Sequence, residues 1–299
     1  MKKHVSAKAF IKKYKTGTLF VLPFCVLFAV FTVIPIISAM GLSLTDYNLL
    51  ETPNFVGLTN YRLLFLEDSV FMTAVKNTLI FAVVTGPVGL LLSFLLAWVI
   101  NKAPLKNFFS LLVYVPSITS GIAMTVVWMY FFSPDRYGLI NNLLFELGAI
   151  NEPILWNLDE DYILIVCIII SIWLSMGSSF LVFLAGLKNT SKELTEAGKI
   201  DGIKNDFQEL IYITLPQMKP QLLFGCINAL TASVSAFEIP MGVAGFPSPN
   251  YAGHTIVAHL YDYAFVRFQM GYAAAIAVVL FFFTFILGRV LMRVLSSRE

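Results

Sequence analysis

Charged side chains are scarce in this sequence: Asp, Glu, Lys and Arg make up 13% of its 299 residues, and the mean hydropathy is +0.80. Because soluble domains carry about 25% charged residues, this composition excludes an ordinary water-soluble globular protein. The formal net charge of +2 gives no broad basic surface of the kind that binds nucleic acid. We therefore expect a protein of the lipid bilayer with no nucleic acid partner.

Reactive and metal-binding patterns are also missing. The three cysteines, Cys25, Cys167 and Cys226, lie in apolar stretches without C-x-x-C spacing, so they are expected to be buried hydrophobic side chains. His254 and His259 form no H-E-x-x-H motif, and we interpret them as surface histidines rather than metal ligands. No G-x-x-x-x-G-K-[ST] loop is present to bind phosphates. The sequence thus predicts no catalytic residue, metal site or cofactor on this chain.

Long apolar runs are plentiful. A helix of about 20 apolar residues crosses the roughly 30 Å hydrocarbon core of a bilayer. Within these runs the charged residues are Lys76, Glu238 and Arg289, each near the end of its run. The fold class is therefore an all-α membrane protein with six transmembrane helices, expected at residues 19–40, 71–100, 108–132, 162–187, 222–244 and 271–291.

Positive charge is distributed unevenly between the two sides of the predicted spans. Sixteen of the 20 Lys and Arg residues fall in the two ends of the chain and in alternate loops. Cytoplasmic segments keep such an excess, so both termini are expected in the cytoplasm. Residues 1–17 would form a basic cytoplasmic arm, and residues 18–299 would form a single six-helix transmembrane domain.

The loop between the fourth and fifth predicted spans, residues 188–221, is unusually polar for this chain and faces the cytoplasm in this orientation. Thr190 and Glu193 fit a capping box, so a helix is expected to begin near Ser191. An Asp-Gly turn then ends that helix, and a second short helix follows. The pattern predicts a helix-turn-helix at the membrane surface, and an ordinary solvated loop is the alternative.

This loop closely resembles the cytoplasmic signature loop of permease subunits in binding-protein-dependent ABC importers. That family's loop opens with Glu-Ala-Ala, continues to a Gly and ends in Leu-Pro, and Gly198 here replaces the second Ala. The residues that match are Glu196, Ala197, Gly198, Asp201, Gly202, Leu215 and Pro216. The motifs FVGLTNY at Phe55 to Tyr61 and MGYAAA at Met270 to Ala275 resemble the maltose-type and glycerol-phosphate-type sugar permeases.

The resemblance implies the permease subunit of an ATP-driven importer in a prokaryotic cell membrane, with a sugar or oligosaccharide as cargo. It also implies partners: a second homologous permease subunit, two copies of an ATPase that binds ATP and Mg, and an extracytoplasmic solute-binding protein. The loop would be a coupling helix that docks on the ATPase. The alternative is an ion-coupled secondary transporter, although neither inverted repeats nor midplane acids are evident.

Polar side chains within two predicted spans are candidates for a substrate path. Such groups are costly in a bilayer unless they face a cavity or a neighbouring helix. Amides and carboxylates can bind sugar hydroxyls, and an aromatic face can cover a sugar ring. Helix packing is the alternative role for the serines and threonines. The candidates are Asn228, Ser235, Phe237, Glu238, Ser117 and Thr119.

Overall fold

A computed structural model describes residues 15–296, so most of the predicted N-terminal arm lies outside the described residues. Within that range the chain is helical, and its one β-type pairing is an isolated antiparallel bridge between Thr45 and Phe55. The all-α prediction is confirmed. The chain divides into two compact units, one of residues up to Leu64 with Asp262–Val279, the other of Phe65–Tyr261 with the residues from Leu280.

Long apolar helices alternate with short connecting ones. In chain order they are α1 (Lys15–Phe28), α2 (Ile34–Leu42), α3 (Thr59–Leu66), α4 (Ser69–Lys102), α5 (Lys106–Ile118), α6 (Gly121–Phe131), α7 (Leu139–Glu146), α8 (Glu160–Lys188), α9 (Lys192–Ile200), α10 (Asp206–Glu209), α11 (Leu215–Gln217), α12 (Lys219–Val234), α13 (Glu238–Ala244), α14 (Ile256–Tyr261) and α15 (Met270–Ser296). Single π-helical segments at Ala29–Val33 and Leu210–Thr214 join α1 to α2 and α10 to α11.

Among the described residues, five helical segments are long and apolar enough to cross a bilayer, and the count reaches the predicted six when one bent helix pair is taken as a single span. The five are Leu19–Leu42, Ser69–Lys102, Glu160–Lys188, Lys219–Ala244 and Met270–Val294. The third predicted span, 108–132, is that pair: α5 and α6 meet at an angle of 101° instead of forming one helix. Pro116 near the end of α5 and the Ser120-Gly121 pair at the start of α6 flank the break, and both kinds of residue favour sharp kinks.

Small residues bring the membrane helices of the second unit together. Phe94 of α4 and Phe183 of α8 pack edge to face with ring centroids 5.6 Å apart. A Cβ on Gly225 of α12 would lie 2.7 Å from Cζ of Phe183, so only glycine allows this approach. The helices α4, α8 and α12 therefore form a closely packed group.

In the first unit, two of the quoted motifs hold the loop after α2. Asn60 of FVGLTNY donates from Nδ2 to the carbonyl oxygens of Ser43 (2.9 Å) and Thr45 (2.8 Å). Gly271 of MGYAAA donates its N–H to the Tyr47 carbonyl at 2.9 Å, and a Cβ there would collide with the Thr45 carbonyl. These motif residues therefore have structural roles within this unit.

Two of the predictions about burial are wrong. His254 and His259 are 2% and 1% exposed rather than surface residues, because they bond to each other and onward to a carboxylate. Cys167 is buried as predicted, but Cys25 is exposed on α1. No residue in the most apolar part of Leu19–Leu42 is buried by the rest of the described chain, and Cys25 shares this exposure.

Candidate functional site

The polar loop forms two short helices. Helix α9 begins at Lys192, and its N-cap is Ser191, whose Oγ accepts from the backbone N–H of Leu194 at 3.3 Å. Thr190, expected in the capping box, instead donates its hydroxyl to the Leu187 carbonyl at 2.7 Å. The helix thus begins where the sequence predicts but is capped by the neighbouring residue, because the Thr190 hydroxyl bonds back to the last turn of α8.

The turn after α9 has the geometry of a glycine-terminated helix. Gly202 has φ of +99°, a conformation that residues with a Cβ rarely adopt. The Ile203 N–H donates to the Gly198 carbonyl at 2.9 Å, and the Gly202 N–H donates to the Lys199 carbonyl at 3.4 Å. This pair of bonds is a Schellman motif, which satisfies the last carbonyls of α9. Asp201 caps the helix and is exposed.

Gly198 is the contact point between the two arms of the loop. It is buried, and a Cβ there would meet Cδ1 of Ile203 at 2.9 Å and would collide with Cδ1 of Ile213. Glycine at this position therefore serves packing within the loop, where the resembling family has alanine. Glu196 and Ala197 lie beside it and are exposed.

The second arm is tied to the membrane helices. Asn205 caps α10 by accepting from the Gln208 N–H at 2.8 Å. Asp206 forms an ion pair of 2.8 Å with Nζ of Lys102, the last residue of α4. The hydrogen bond from Lys102, assisted by its charge, holds the pKa of the Asp206 carboxyl below its ordinary value. Leu215 and Pro216 follow in α11, where Gln217 Oε1 accepts from the Ser191 N–H at 2.9 Å and closes the loop.

Large apolar side chains are exposed on this loop. The three most exposed are Ile200 (87% exposed), Tyr212 (70%) and Phe207 (64%). Sequence reasoning named none of these three side chains as a site candidate. Their signal was present, because bulky apolar residues in a polar loop that is too short to form its own core are left exposed.

A cavity of about 760 Å³ lies among α4, α8 and the α12–α13 span. Four of the predicted path residues line it: Asn228, Ser235, Phe237 and Glu238. The other two, Ser117 and Thr119, are outside its lining and donate their hydroxyls to the Tyr114 and Val115 carbonyls of their own helix. Ser117 also packs against Gly177, which is the helix-packing role left open above.

Sequence reasoning missed the serines that α8 contributes to this cavity. Their spacing places them on one face of an apolar helix, which was the available signal. They are Ser171, Ser175, Ser178 and Ser179. Ser175 donates to the Ile172 carbonyl at 2.9 Å, whereas Ser178 and Ser179 have no hydrogen-bonding partner within residues 15–296.

Asn228, Ser235 and Glu238 on the opposite wall likewise have no side-chain partner among the described residues. Polar groups at membrane depth require a partner or water, so this cavity is suited to a hydrated or polyhydroxylated molecule. No cluster of three or more His, Cys, Asp or Glu side chains in the described chain could hold a metal ion.

Comparison with known proteins decides the family. The model of the family described as "Binding-protein-dependent transport system inner membrane component" matches residues 89–299. The chain belongs to this family. It is therefore a multi-pass inner membrane permease subunit of an ATP-driven ABC importer, a non-enzymatic component whose ATPase is a separate chain. Family membership displaces the ion-coupled alternative.

Individual relatives cover nearly the whole permease. The chain is 35% identical over 270 residues to a probable ABC transporter permease protein, YesP, of Bacillus subtilis, covering 88% of this chain and 85% of YesP. It is 34% identical over 275 residues to the arabinooligosaccharides transport system permease protein AraP of the same organism, covering 91% and 85%. A bacterial alginate ABC transporter, solved with its alginate-bound periplasmic protein, has the same fold, with a TM-score of 0.81 at 21% identity and 97% of each chain covered.

Proposed function

We propose that this permease carries a sugar or oligosaccharide through the 760 Å³ cavity. The observation that carries the proposal is the cavity wall, where six polar side chains lack a partner within residues 15–296: Ser171, Ser178, Ser179, Asn228, Ser235 and Glu238. Each can exchange hydrogen bonds with a hydroxyl, and Phe237 adds an aromatic face beside them. The name of the relative AraP, an arabinooligosaccharide permease, points to the same class of cargo.

The helical loop is the proposed docking surface for the ATPase. Its two arms are braced by the Schellman turn, by Gly198 packed on Ile213 and by the bond between Ser191 and Gln217. A braced loop moves as a unit and can pass motion of a partner to the helices that flank it. Glu196 and Asp201 are exposed for polar contacts, and Leu215 with Pro216 leads back into the membrane.

The full transporter is proposed to contain a second homologous permease subunit, two ATPase copies that bind ATP and Mg, and an extracytoplasmic binding protein that delivers the sugar. Both termini and the helical loop would face the cytoplasm, which agrees with the lysine and arginine excess in those segments. Gentle extraction of the tagged chain followed by mass spectrometry should recover these partners. The binding protein can then be titrated with neutral, amino and acidic saccharides to name the cargo.

Charge reversal tests the loop. Glu196→Lys combined with Asp201→Lys should leave the subunit in the membrane but abolish the coupling of ATP hydrolysis to uptake of the identified saccharide in proteoliposomes. Glu51→Lys combined with Glu152→Lys, which changes two exposed acids outside the helical loop, is the matched control and should keep ATP hydrolysis coupled to uptake. Normal transport by the double variant would contradict the docking assignment.

A further inference from the structure

Glu238 lies where two interrupted spans meet. It is the first residue of α13, directly after the break at 235–237 that separates α13 from α12. A Cβ on Gly121, the first residue of α6, would collide with Oε2 of Glu238. The carboxylate therefore packs against the backbone of Gly121, just after the 101° bend between α5 and α6. Both breaks thus place one acidic group beside the cavity.

Among the described residues that line the cavity, Glu238 is the only ionisable one. The other polar groups that the described residues contribute to the lining are hydroxyls and the amide of Asn228, and none of these residues is a lysine or an arginine. Glu238 is exposed and has no hydrogen bond or ion pair within residues 15–296. A molecule that enters the cavity therefore meets one negative charge that this chain does not neutralise.

That arrangement treats three kinds of saccharide differently. A neutral sugar can donate a hydroxyl to the carboxylate, and a sugar with an ammonium group can form an ion pair with it. A sugar acid or sugar phosphate brings a second negative charge into a region of low dielectric constant. Repulsion of this kind is a means of specificity that attractive contacts alone do not provide.

We infer that Glu238 is a specificity-determining residue that excludes anionic saccharides from the pathway and admits neutral or amine-bearing ones. The inference rests on the proposed function, because it requires that a saccharide passes through this cavity. The hydroxyls of Ser178 and Ser179 and the Asn228 amide act on all sugars, whereas Glu238 separates them by charge.

The experiment uses the complete importer, with its partner subunits and binding protein, in proteoliposomes. The probe is the saccharide with the highest uptake by the wild type, converted at its reducing end into three matched forms. Reduction gives a neutral alditol, oxidation gives an anionic aldonate, and reductive amination gives a cationic amino-alditol. Each uptake rate is divided by the measured fraction of binding protein that the probe occupies, so selection by the binding protein is removed.

In the wild type, the aldonate should be taken up about tenfold more slowly than the alditol, and the amino-alditol at least as fast. Glu238→Gln should bring the aldonate rate to within about twofold of the alditol rate, and Glu238→Lys should favour the aldonate. Glu238→Asp keeps the charge and should keep the wild-type ratio. Glu146→Gln, an acid-to-amide change outside the cavity lining, is the matched control and should also keep it.

The ratio of two probes in the same vesicles does not depend on the amount of folded transporter, so a poorly assembled variant still gives an interpretable result. If Glu238→Gln transports nothing, the Glu238→Asp and wild-type ratios carry the test. Equal corrected rates for aldonate and alditol in the wild type, or an unchanged ratio in Glu238→Gln, would overturn the inference and leave sugar transport standing. Absence of uptake for every saccharide would overturn both.

Discussion

Asp68 and His259 are joined by a hydrogen bond of 2.9 Å between Oδ2 and Nε2. The other oxygen of Asp68, Oδ1, accepts from the backbone N–H of Phe71 at 2.8 Å and caps α4. On the far side of the imidazole, Nδ1 of His259 lies 3.3 Å from Nε2 of His254. When Nε2 donates to the carboxylate, a neutral His259 accepts at Nδ1. The hydrogen bonds therefore run in one direction, from His254 through His259 to Asp68.

Removal of this carboxylate should destabilise the permease. Asp68→Ala loses an N-cap and deprives the buried His259 donor of its acceptor, at a combined cost of roughly 2–4 kcal/mol. Asp159→Ala is the control, because Asp159 caps α8 through the Asp161 N–H at 3.0 Å without a histidine. It should cost only about 1 kcal/mol. Thermal unfolding in detergent compares the two, and equal losses would contradict the role of His259.

Asn141 should be a second point of stability. It is fully buried, and its Nδ2 donates to the carbonyls of Ser133, Asp135 and Ile154 at 3.2, 3.0 and 3.0 Å. Its Oδ1 accepts from the Ile154 N–H at 3.2 Å and from Nε1 of Trp156 at 2.9 Å. Asn141→Leu should cost about 3 kcal/mol or more, because several partners lose their bonds together.

Limited proteolysis of the segment 133–159 measures this effect. The segment should be cleaved faster in Asn141→Leu than in the wild type. Asn142→Leu, the same change at the exposed neighbouring position, should leave the rate unchanged. Similar cleavage of both variants would show that the bonds of Asn141 do not hold the segment.

Gly198→Ala should separate the two arms of the helical loop. The new methyl group meets Ile213 and Ile203, an overpacking that costs about 1–3 kcal/mol, partly offset by the roughly 1 kcal/mol better helix propensity of alanine. We expect lower ATP-driven uptake with little change in the unfolding temperature. Adding Ile213→Val removes a methyl group from the contact and should restore uptake, whereas no recovery would mean that Gly198 acts through another surface.

The ion pair between Lys102 and Asp206 should persist through the physiological pH range. Because the pKa of Asp206 is lowered, the contribution of the pair is present above the ordinary pKa and is lost only as pH falls through the lowered value. The ratio of wild-type to Lys102→Met uptake should therefore be constant from about pH 8 to about pH 5. A ratio that changes within that range would refute this assignment.

A charge exchange provides the companion test. Lys102→Glu and Asp206→Lys should each lower uptake, and the double variant should recover it, because the pair is then restored with reversed signs. High salt should reduce the differences in uptake between these variants and the wild type. Salt screens the pair because both side chains are exposed, with relative accessibilities of 41% for Lys102 and 69% for Asp206.

Hydropathy and local turn chemistry were sufficient for five of the six predicted spans and for the short helices of the loop. Those features are determined by residues close together in the sequence, such as the apolar run around Phe94 or the Asp201-Gly202 turn. The kink between α5 and α6 was not predicted, although Pro116 and Gly121 are sequence signals of a break in a helix. A hydropathy window averages over such a break because its residues remain mostly apolar.

Contacts between distant segments lay beyond sequence reasoning. Nothing near His259 in the sequence indicates Asp68, and nothing near Asp206 indicates Lys102, because each pair is brought together only by packing of the helices. For the same reason the sequence left both roles of Ser117 open: its neighbour Gly177 belongs to another span. The family resemblance located the loop, but it could not show that Ile203 and Ile213 of the same loop pack over Gly198.

Helix α4 is 34 residues long and contains Pro87; at 1.5 Å per residue its length along the axis is about 51 Å, far more than the thickness of the hydrocarbon layer. One tip carries Lys102 and its partner Asp206, and the other begins at the Asp68 cap with His259. If the loop docks a partner as proposed, its movement would be carried by one continuous helix to the Asp68 and His259 contact at the other end.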